Sequence, residues 1–354
     1  MSQWQLRSAT EQFANFLREG VRRGQWTATM PGVHRLSAEF QINRKTVEAA
    51  LRVLEEEGLL IGQGPGRRRT INPAAAADAA AMRVAILLFE PSDTGMRSIV
   101  DIRHQLEESG HTVTFAPKTL TEMKMDPSRV SRVVESHDAD AWIVVAGSPP
   151  VLQWFVEQPR PAFALFGRHT DINIATASAN RRDAIVDAVR ELARLGHRRV
   201  VLLGRSLFRF PNPAQDAQTF LSELEAHGIP TGAYNLPDWD DTADGFIQSL
   251  DRLFAATPPT ALLIDEPFLF HAAQTHLAQH GILAPKHVSL VCLESDFSFS
   301  WCRPTVAHVR MNVDPIVRHA VRWANRVVRG KDDPRKLLTK ASFVTGGTVG
   351  AAPS

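Results

Sequence analysis

Apolar residues fall at helical spacing as far as residue 54 and in short unbroken runs beyond residue 82. Phe13, Phe16, Leu17 and Val21 mark one face of a first helix, Val33, Leu36 and Phe40 of a second, and Val47, Leu51 and Leu54 of a third. Gln41-Ile42-Asn43 separates the second from the third; Asn43 suits the N-cap of a helix beginning at Arg44, and Gly58 suits the stop after Glu57. This is helix-turn-helix spacing. Residues 59–61 and 69–71 predict two short strands around GQGPGRRR, whose glycines permit a tight tip.

The later runs are RVAILLF (83–89), TVTF (112–115), AWIVVA (141–146), FALF (163–166), VVLLG (200–204), ALLI (261–264) and VSLVCL (288–293). Helical patterns at 97–109, 130–137, 181–195 and near 214–227 lie between them. Apolar strands without alternation predict parallel sheets covered by helices on both faces. Roughly 260 residues built this way exceed one doubly wound sheet, so a two-lobed α/β domain is expected, with a ligand cleft at the strand C-terminal ends. AAAADAAA (74–81) reads as the linker, and both a helical spacer and a flexible tether fit it. The expected domains are therefore 1–73, an α+β head; 74–81, the linker; and 82–349, with an N-lobe of about 82–179 and 308–338 and a C-lobe of about 180–307 and 339–349.

The hydrophobic share is 44% and the charged share 22%, which excludes a disordered chain. No apolar run approaches the roughly 20 residues that span a bilayer, and MSQWQLRSATEQF lacks a secretory pattern, so a cytoplasmic protein without a membrane partner is expected. Cys292 and Cys302 lack metal-ligand spacing and read as reduced thiols. The net charge of +2 hides an asymmetry. Residues 1–73 hold 11 Lys/Arg against 7 Asp/Glu, or +4, whereas the rest hold 29 against 31, or −2. A basic head on a nearly neutral body fits DNA binding, and a solvated basic face gives the same count.

With Val47, Leu51 and Leu54 inward, the third helix presents Arg44, Lys45, Glu48 and Arg52 outward, and Thr46 joins Arg44 at the end that enters a major groove. Arg67, Arg68 and Arg69 in the hairpin offer charge to phosphates, although a three-helix core with a solvated hairpin fits the same pattern. MPGVHRLSAEFQINRKTVEAALRVLEEEGLL followed by GPGRRRTI resembles the GntR-type winged helix over residues 24–71. The resemblance implies that Arg44, Thr46, Gly64 and Gly66 meet DNA. It also shows departures: His34 stands where the family has Arg, and Gly32 where it has a Ser cap.

LGHRRVVLLG (195–204), TALLIDEP (260–267), GILAPKHVSLVCLES (281–295) and PIVRHAVRWANRVVRGK (315–331) together resemble the effector domain of LacI-type repressors, built like periplasmic sugar-binding proteins, over 82–349. A GntR-type head on this domain resembles arabinose-type repressors. The resemblance implies a sugar site with Trp239 as aromatic platform and Asp265 and Glu294 accepting hydroxyls, with Glu90, Ser92 and Asp93 facing the same cleft from the first lobe. Core or helix-capping roles also fit these residues. Asp216 stands where the family commonly has a ligand-facing Arg and joins the expected ligand-binding residues; Thr219 replaces a Gly, and RSLFRFPNPAQDA (205–217) is rich in Arg, Phe and Pro, so the pocket is rebuilt and a ligand other than a plain pentose or hexose fits too.

No P-loop, nucleophile elbow or HExxH motif is present, GQGPG leads into RRR rather than a helix, and His104, His111, His197 and His308 lack a paired carboxylate at catalytic spacing. No catalytic residue, cofactor or metal is expected. The leading expectation is a ligand-responsive transcription regulator, a repressor by analogy, that binds a palindromic double-stranded operator as a homodimer and answers to a sugar-like effector closing the cleft. The sign of that response is not in the sequence. A small-molecule binding protein without a DNA role and an enzyme of unrecognised chemistry are the alternatives.

Overall fold

The first helices form where the apolar spacing puts them: α1 is Ala9–Arg22, α2 Val33–Phe40 and α3 Arg44–Glu56 in a computed structural model of the chain. The structure describes residues 9–22, 25–64, 67–73, 81–167, 172–209, 213–331 and 333–353. Gly66 and residues 74–80 of the expected linker lie outside the described residues. Phe13, Leu17, Val21, Leu36, Val47, Leu51 and Leu54 bury into one cluster with Met30, Leu59, Leu60 and Ile71. Phe16, read as inward, is instead 46% exposed at the margin, stacked on Phe13 and edge-on to Phe40.

Gln41 makes the α2–α3 turn in the left-handed region (φ 54°), and Ser37 Oγ donates to the Ile42 carbonyl at 2.7 Å. The Asn43 side chain accepts from Lys45 N at 2.9 Å, the N-cap bond that its type favours. At the other end Gly58 (φ 73°) and Leu59 donate their amides to the Glu55 and Leu54 carbonyls, and Leu59 packs with Leu54. This left-handed glycine stop satisfies carbonyls that a helix end otherwise leaves open. Strands β1 (Leu60–Ile61) and β2 (Thr70–Ile71) then pair antiparallel, and Thr29 bridges to Thr70. Arg18 forks onto the Glu57 carboxylate, tying α1 to the end of α3.

The chain divides into two units, residues 1–178 with 314–337, and residues 179–313 with 338–354. In chain order the first unit continues with β3 (Arg83–Leu87), α4 (Arg97–Glu108), β4 (Thr112–Phe115), α5 (Pro127–Ser136), β5 (Ala141–Val145), α6 (Pro149–Val156), β6 (Ala162–Leu165) and the start of β7 (Ala175–Asn180). Its strands run in the order β4-β3-β5-β6-β7, all parallel. The second unit holds α7 (Arg182–Arg194), β8 (Val200–Leu203), the short α8 (Ser206–Arg209), α9 (Gln215–Ala226), α10 (Ala243–Ala256), β9 (Ala261–Ile264), α11 (Pro267–Gln279), β10 (Ser289–Cys292) and β11 (Ala307–Met311). The chain re-enters the first unit as α12 (Asp314–Val327), and β12 (Lys336–Val344) leads back to the second.

Strands β8 to β11 are parallel, whereas β12 pairs antiparallel with β11. Central strands β8, β9 and β10 are buried at every position, which is why they read as unbroken apolar runs. β12 alternates exposure along most of its length, as a strand with one wetter face does. One apolar cluster of the second unit packs α7 and α9 against the sheet, and another packs α10 and α11. Parallel strands covered in this way direct their C-terminal ends, and the loops after them, toward one rim.

Candidate functional site

The first candidate surface is the head. Arg44, Lys45, Glu48 and Arg52 are exposed on α3, and Thr46 is half-buried in its first turn. Two cations thus flank a helix N-terminus, whose open amides and dipole themselves favour an anion. His34 on α2 and Gly64, Arg67 and Arg68 in the hairpin are exposed as well. Arg69 is not: its guanidinium pairs with Glu55 at 2.9 Å and fixes the hairpin to α3, which takes it out of the phosphate-facing set. Gly32 caps α2 without a side-chain bond, as expected where the Ser is missing.

The second is assembled at strand ends of the second unit. Arg181 follows β7, Asp265 follows β9, Glu294 lies two residues past β10, and Asp216 sits in the first turn of α9. Arg181 Nε donates to Asp216 Oδ2 at 2.7 Å, while Nη1 lies 3.3 Å from Asp265 Oδ1, 3.4 Å from Glu294 Oε1 and 3.4 Å from the Leu293 carbonyl. Burial works against the Arg181 charge, but Asp265, Asp216 and Glu294 outweigh it and hold the guanidinium above its usual pKa. Burial pushes the Asp265 carboxyl up, with Arg181 opposing and Asp216 adding to the rise. Below the rim, burial raises the Cys292 thiol well above its usual pKa, so it is an inert core group.

The sequence therefore supplied three members of this constellation, Asp216, Asp265 and Glu294, and missed the guanidinium that joins them. Trp239 is 6% exposed within the α10–α11 core, edge-on to Phe246 at 5.1 Å and with the Arg209 guanidinium 5.4 Å from its ring centre, so it presents no open face as a platform. Arg209 is itself buried, donating to the Gly204 and Trp239 carbonyls at 3.0 and 2.6 Å and pairing with Asp238 and Asp241. Burial lowers its pKa, with Asp241 opposing.

Glu90, Ser92 and Asp93 stand in the first unit, after β3. The Asp93 carboxylate accepts from the Phe89 and Glu90 amides, both at 3.0 Å, and Ser92 Oγ donates to Glu90 Oε1 at 2.7 Å. These bonds hold a one-turn 3₁₀ helix, Pro91–Gly95. Arg205, at the start of the rebuilt loop, pairs with Glu266 at 2.9 Å beside the exposed ring of Phe268.

Residues 189–349 match the family of periplasmic binding protein-like domains. Among solved structures, the chain is similar to a LacI family transcriptional regulator from Enterococcus faecium with bound ribose, at 13% identity, covering 76% of this chain and 99% of that one with a TM-score of 0.62. It is similar to a LacI family regulator, CCPA, from Weissella paramesenteroides with bound sucrose (14%, 76% and 98%, 0.62), and to the transcription regulator GntR from Chromobacterium violaceum (17%, 75% and 98%, 0.62). None of the curated proteins matches by sequence. At these identities the likeness establishes the fold, a two-lobed α/β domain of the periplasmic-binding-protein type. Among the described residues no helix is long and apolar enough to cross a membrane.

Proposed function

We propose that this chain is a ligand-responsive transcription regulator, a repressor that binds a palindromic operator as a homodimer through a GntR-type winged helix-turn-helix at residues 1–73. The observation that carries the reading is the N-terminal turn of α3, where exposed Arg44 and Lys45 flank a capped helix end behind the tight Gln41 turn. In a groove, that end places Arg44 and Thr46 at base edges, while Lys45, Arg67, Arg68 and His34 meet phosphates and Glu48 and Arg52 lie along the helix face. The hairpin with exposed Gly64, Arg67 and Arg68 is the wing, and Gly66 belongs to the proposed DNA contacts by its place in the sequence. Such a protein works in the cytoplasm.

The effector is a small polyhydroxylated molecule of the sugar class. Arg181 supplies donors and Asp265, Asp216 and Glu294 supply acceptors at the strand ends of residues 82–349, the pattern with which proteins grip hydroxyls. Ribose and sucrose bound to two of the similar regulators support this class. Effector binding shifts the sensor between states that differ in operator affinity, and the ligand acts only through its differential affinity for them. The carboxylates around Arg181 are each engaged by its guanidinium, which supports reading them as a binding constellation.

Selection of sites from a random double-stranded DNA pool by the full-length protein tests the reading. Enrichment of an inverted repeat, bound with a strong salt dependence, is the expected result. Failure to enrich any sequence leaves the alternative of a small-molecule binding protein without a DNA role.

A further inference from the structure

α10 and α11 carry a cluster that the proposed regulator does not use. Asp251, His276 and His280 bring one carboxylate oxygen and one nitrogen from each ring within 4.8 Å of one another. His276 Nε2 lies 2.7 Å from Asp251 Oδ1. The two histidines are one helical turn apart, so their rings share a face, with centroids 4.5 Å apart. Asp251 and His280 are exposed, and the His276 side chain is mostly covered.

His280 Nδ1 sits 2.9 Å from the His276 carbonyl oxygen. A carbonyl only accepts, so Nδ1 carries the proton and Nε2 keeps the lone pair of the neutral ring. Metal-bound histidines hold their second nitrogen in the same way, which fixes tautomer and ring direction. His280 also caps the C-terminus of α11, where the helix dipole favours a cation. Leu250 and Leu253 of α10 and Ala273 and Leu277 of α11 lie in one buried cluster, so the residues next to Asp251 and His276 in the chain are fixed by packing.

Two imidazoles and one carboxylate make a borderline donor set. Calcium and magnesium prefer all-oxygen shells, and a thiolate-seeking cuprous ion finds no sulfur here. Zinc takes His nitrogen and carboxylate oxygen at about 2.0–2.2 Å, so its ligand atoms stand about 3.3–3.5 Å apart in a tetrahedron. The three ligand atoms already lie within 4.8 Å of one another, so small adjustments of the exposed Asp251 carboxylate and of the rings bring them to about that spacing, with the ion replacing the hydrogen bond between His276 and Asp251. We propose that Asp251, His276 and His280 form a binding site for a divalent transition-metal ion of the zinc class, three protein ligands with the remaining position open to water or to a donor from another molecule. The H-x-x-x-H spacing was present in the sequence, but its third ligand lies 25 residues upstream of His276 on another helix.

The test is calorimetric titration of untagged, chelator-stripped full-length protein with zinc chloride, with magnesium chloride in excess. One zinc per chain, accompanied by a rise in melting temperature, is expected. His276→Ala should weaken binding by no less than the roughly 10–100-fold that loss of even an outer-shell partner costs. Asp251→Asn should weaken it as well, and His280→Ala, at an exposed position, should do so while leaving the zinc-free melting temperature unchanged. Absence of zinc binding, or binding of unaltered affinity in a His276→Ala/His280→Ala double variant, overturns the assignment.

Discussion

Arg181 Nη1 lies 3.3 Å from Asp265 Oδ1, joining residues 84 positions apart at the ends of two strands. The contact matters because Asp265 is almost fully enclosed and its ionisation is already disfavoured by burial. Arg181→Met removes the cation and leaves Asp265 beside two further carboxylates. Urea denaturation at neutral pH should show a loss of about 3–5 kcal/mol, the cost of stranding one partner of a buried pair. Asp265→Asn in the same background should recover part of it. An unchanged urea midpoint in Arg181→Met would show that the guanidinium holds nothing together.

A second prediction concerns two buried histidines. Met82 N donates to His111 Nδ1 at 3.2 Å, and His111 Nε2 faces Asn325 Oδ1 at 3.0 Å, so the native ring is neutral with its proton on Nε2. Burial lowers the His111 pKa, with the Asn325 bond opposing, and burial likewise lowers that of His197, with the Gly350 carbonyl opposing. A folded pKa below the unfolded value, which is about 6.5, means that the unfolded chain takes up protons first. Their contribution is therefore complete above about pH 6.5 and is lost as pH falls through the folded pKa. Melting temperature should fall between about pH 7 and pH 5, ahead of carboxylate protonation, and the slope should flatten in His111→Gln and His197→Gln. A flat wild-type profile over that range contradicts this.

In the head, Arg44 and Arg68 should fail differently. Arg44→Ala is expected to cost about 1–3 kcal/mol of operator affinity and to relax sequence preference, as loss of a base contact does. Arg68→Ala should weaken all DNA sequences about equally and lower the salt slope by about one. Fluorescence anisotropy on selected and scrambled sites at several salt concentrations separates the two. Equal behaviour of both variants on both sites would remove Arg44 from the base-reading set.

What was legible in the chain follows burial. Val200–Leu203, Ala261–Ile264 and Ser289–Cys292 are covered on both faces, so their sequences are apolar throughout and stand out. Ala175–Asn180, a strand of Ala, Thr, Ser and Asn, shows neither alternation nor an apolar run and was not read as one. That omission hid the site's centre. Asp265 and Glu294 were named from the resemblance to the LacI-type effector domain, and both lie just past strands that stand out as apolar runs, whereas Arg181 lies just past Ala175–Asn180, which does not. The ion pairs themselves span 35 to 113 residues and leave no mark on local sequence. Trp239 misled in the opposite direction, since an aromatic residue that packs a core and one that stacks on a sugar look alike in a string of letters.

Trp239 accordingly yields a stability prediction as well as a binding one. Its ring fills space beside Phe246 and beneath Arg209, so Trp239→Ala should cost about 3–5 kcal/mol through cavity formation. Trp239→Phe should cost less. If Trp239→Ala instead abolishes effector response with an unchanged urea midpoint, the ring acts as a platform in the ligand-bound state.

The charge around Arg181 also narrows the effector. Among the described residues, Arg181 faces Asp216, Asp265 and Glu294, while Arg205, which also acts on Asp265, is paired with Glu266, so this group holds more carboxylates than cations. A sugar phosphate or sugar acid entering there meets like charge with Arg181 already engaged, and like charges in a partly desolvated site repel strongly. A neutral polyol can donate its hydroxyls to the carboxylates and accept from the guanidinium, and an amino sugar adds a cation that the excess carboxylate compensates. In a thermal-shift panel, neutral and amino sugars should therefore raise the melting temperature while the phosphorylated and acidic forms of the same sugars do not. Arg181→Met should abolish the response to the neutral sugars as well. Stabilisation by the phosphates alone would mean that the ligand meets other cations and that the Arg181 cluster serves the fold rather than the effector.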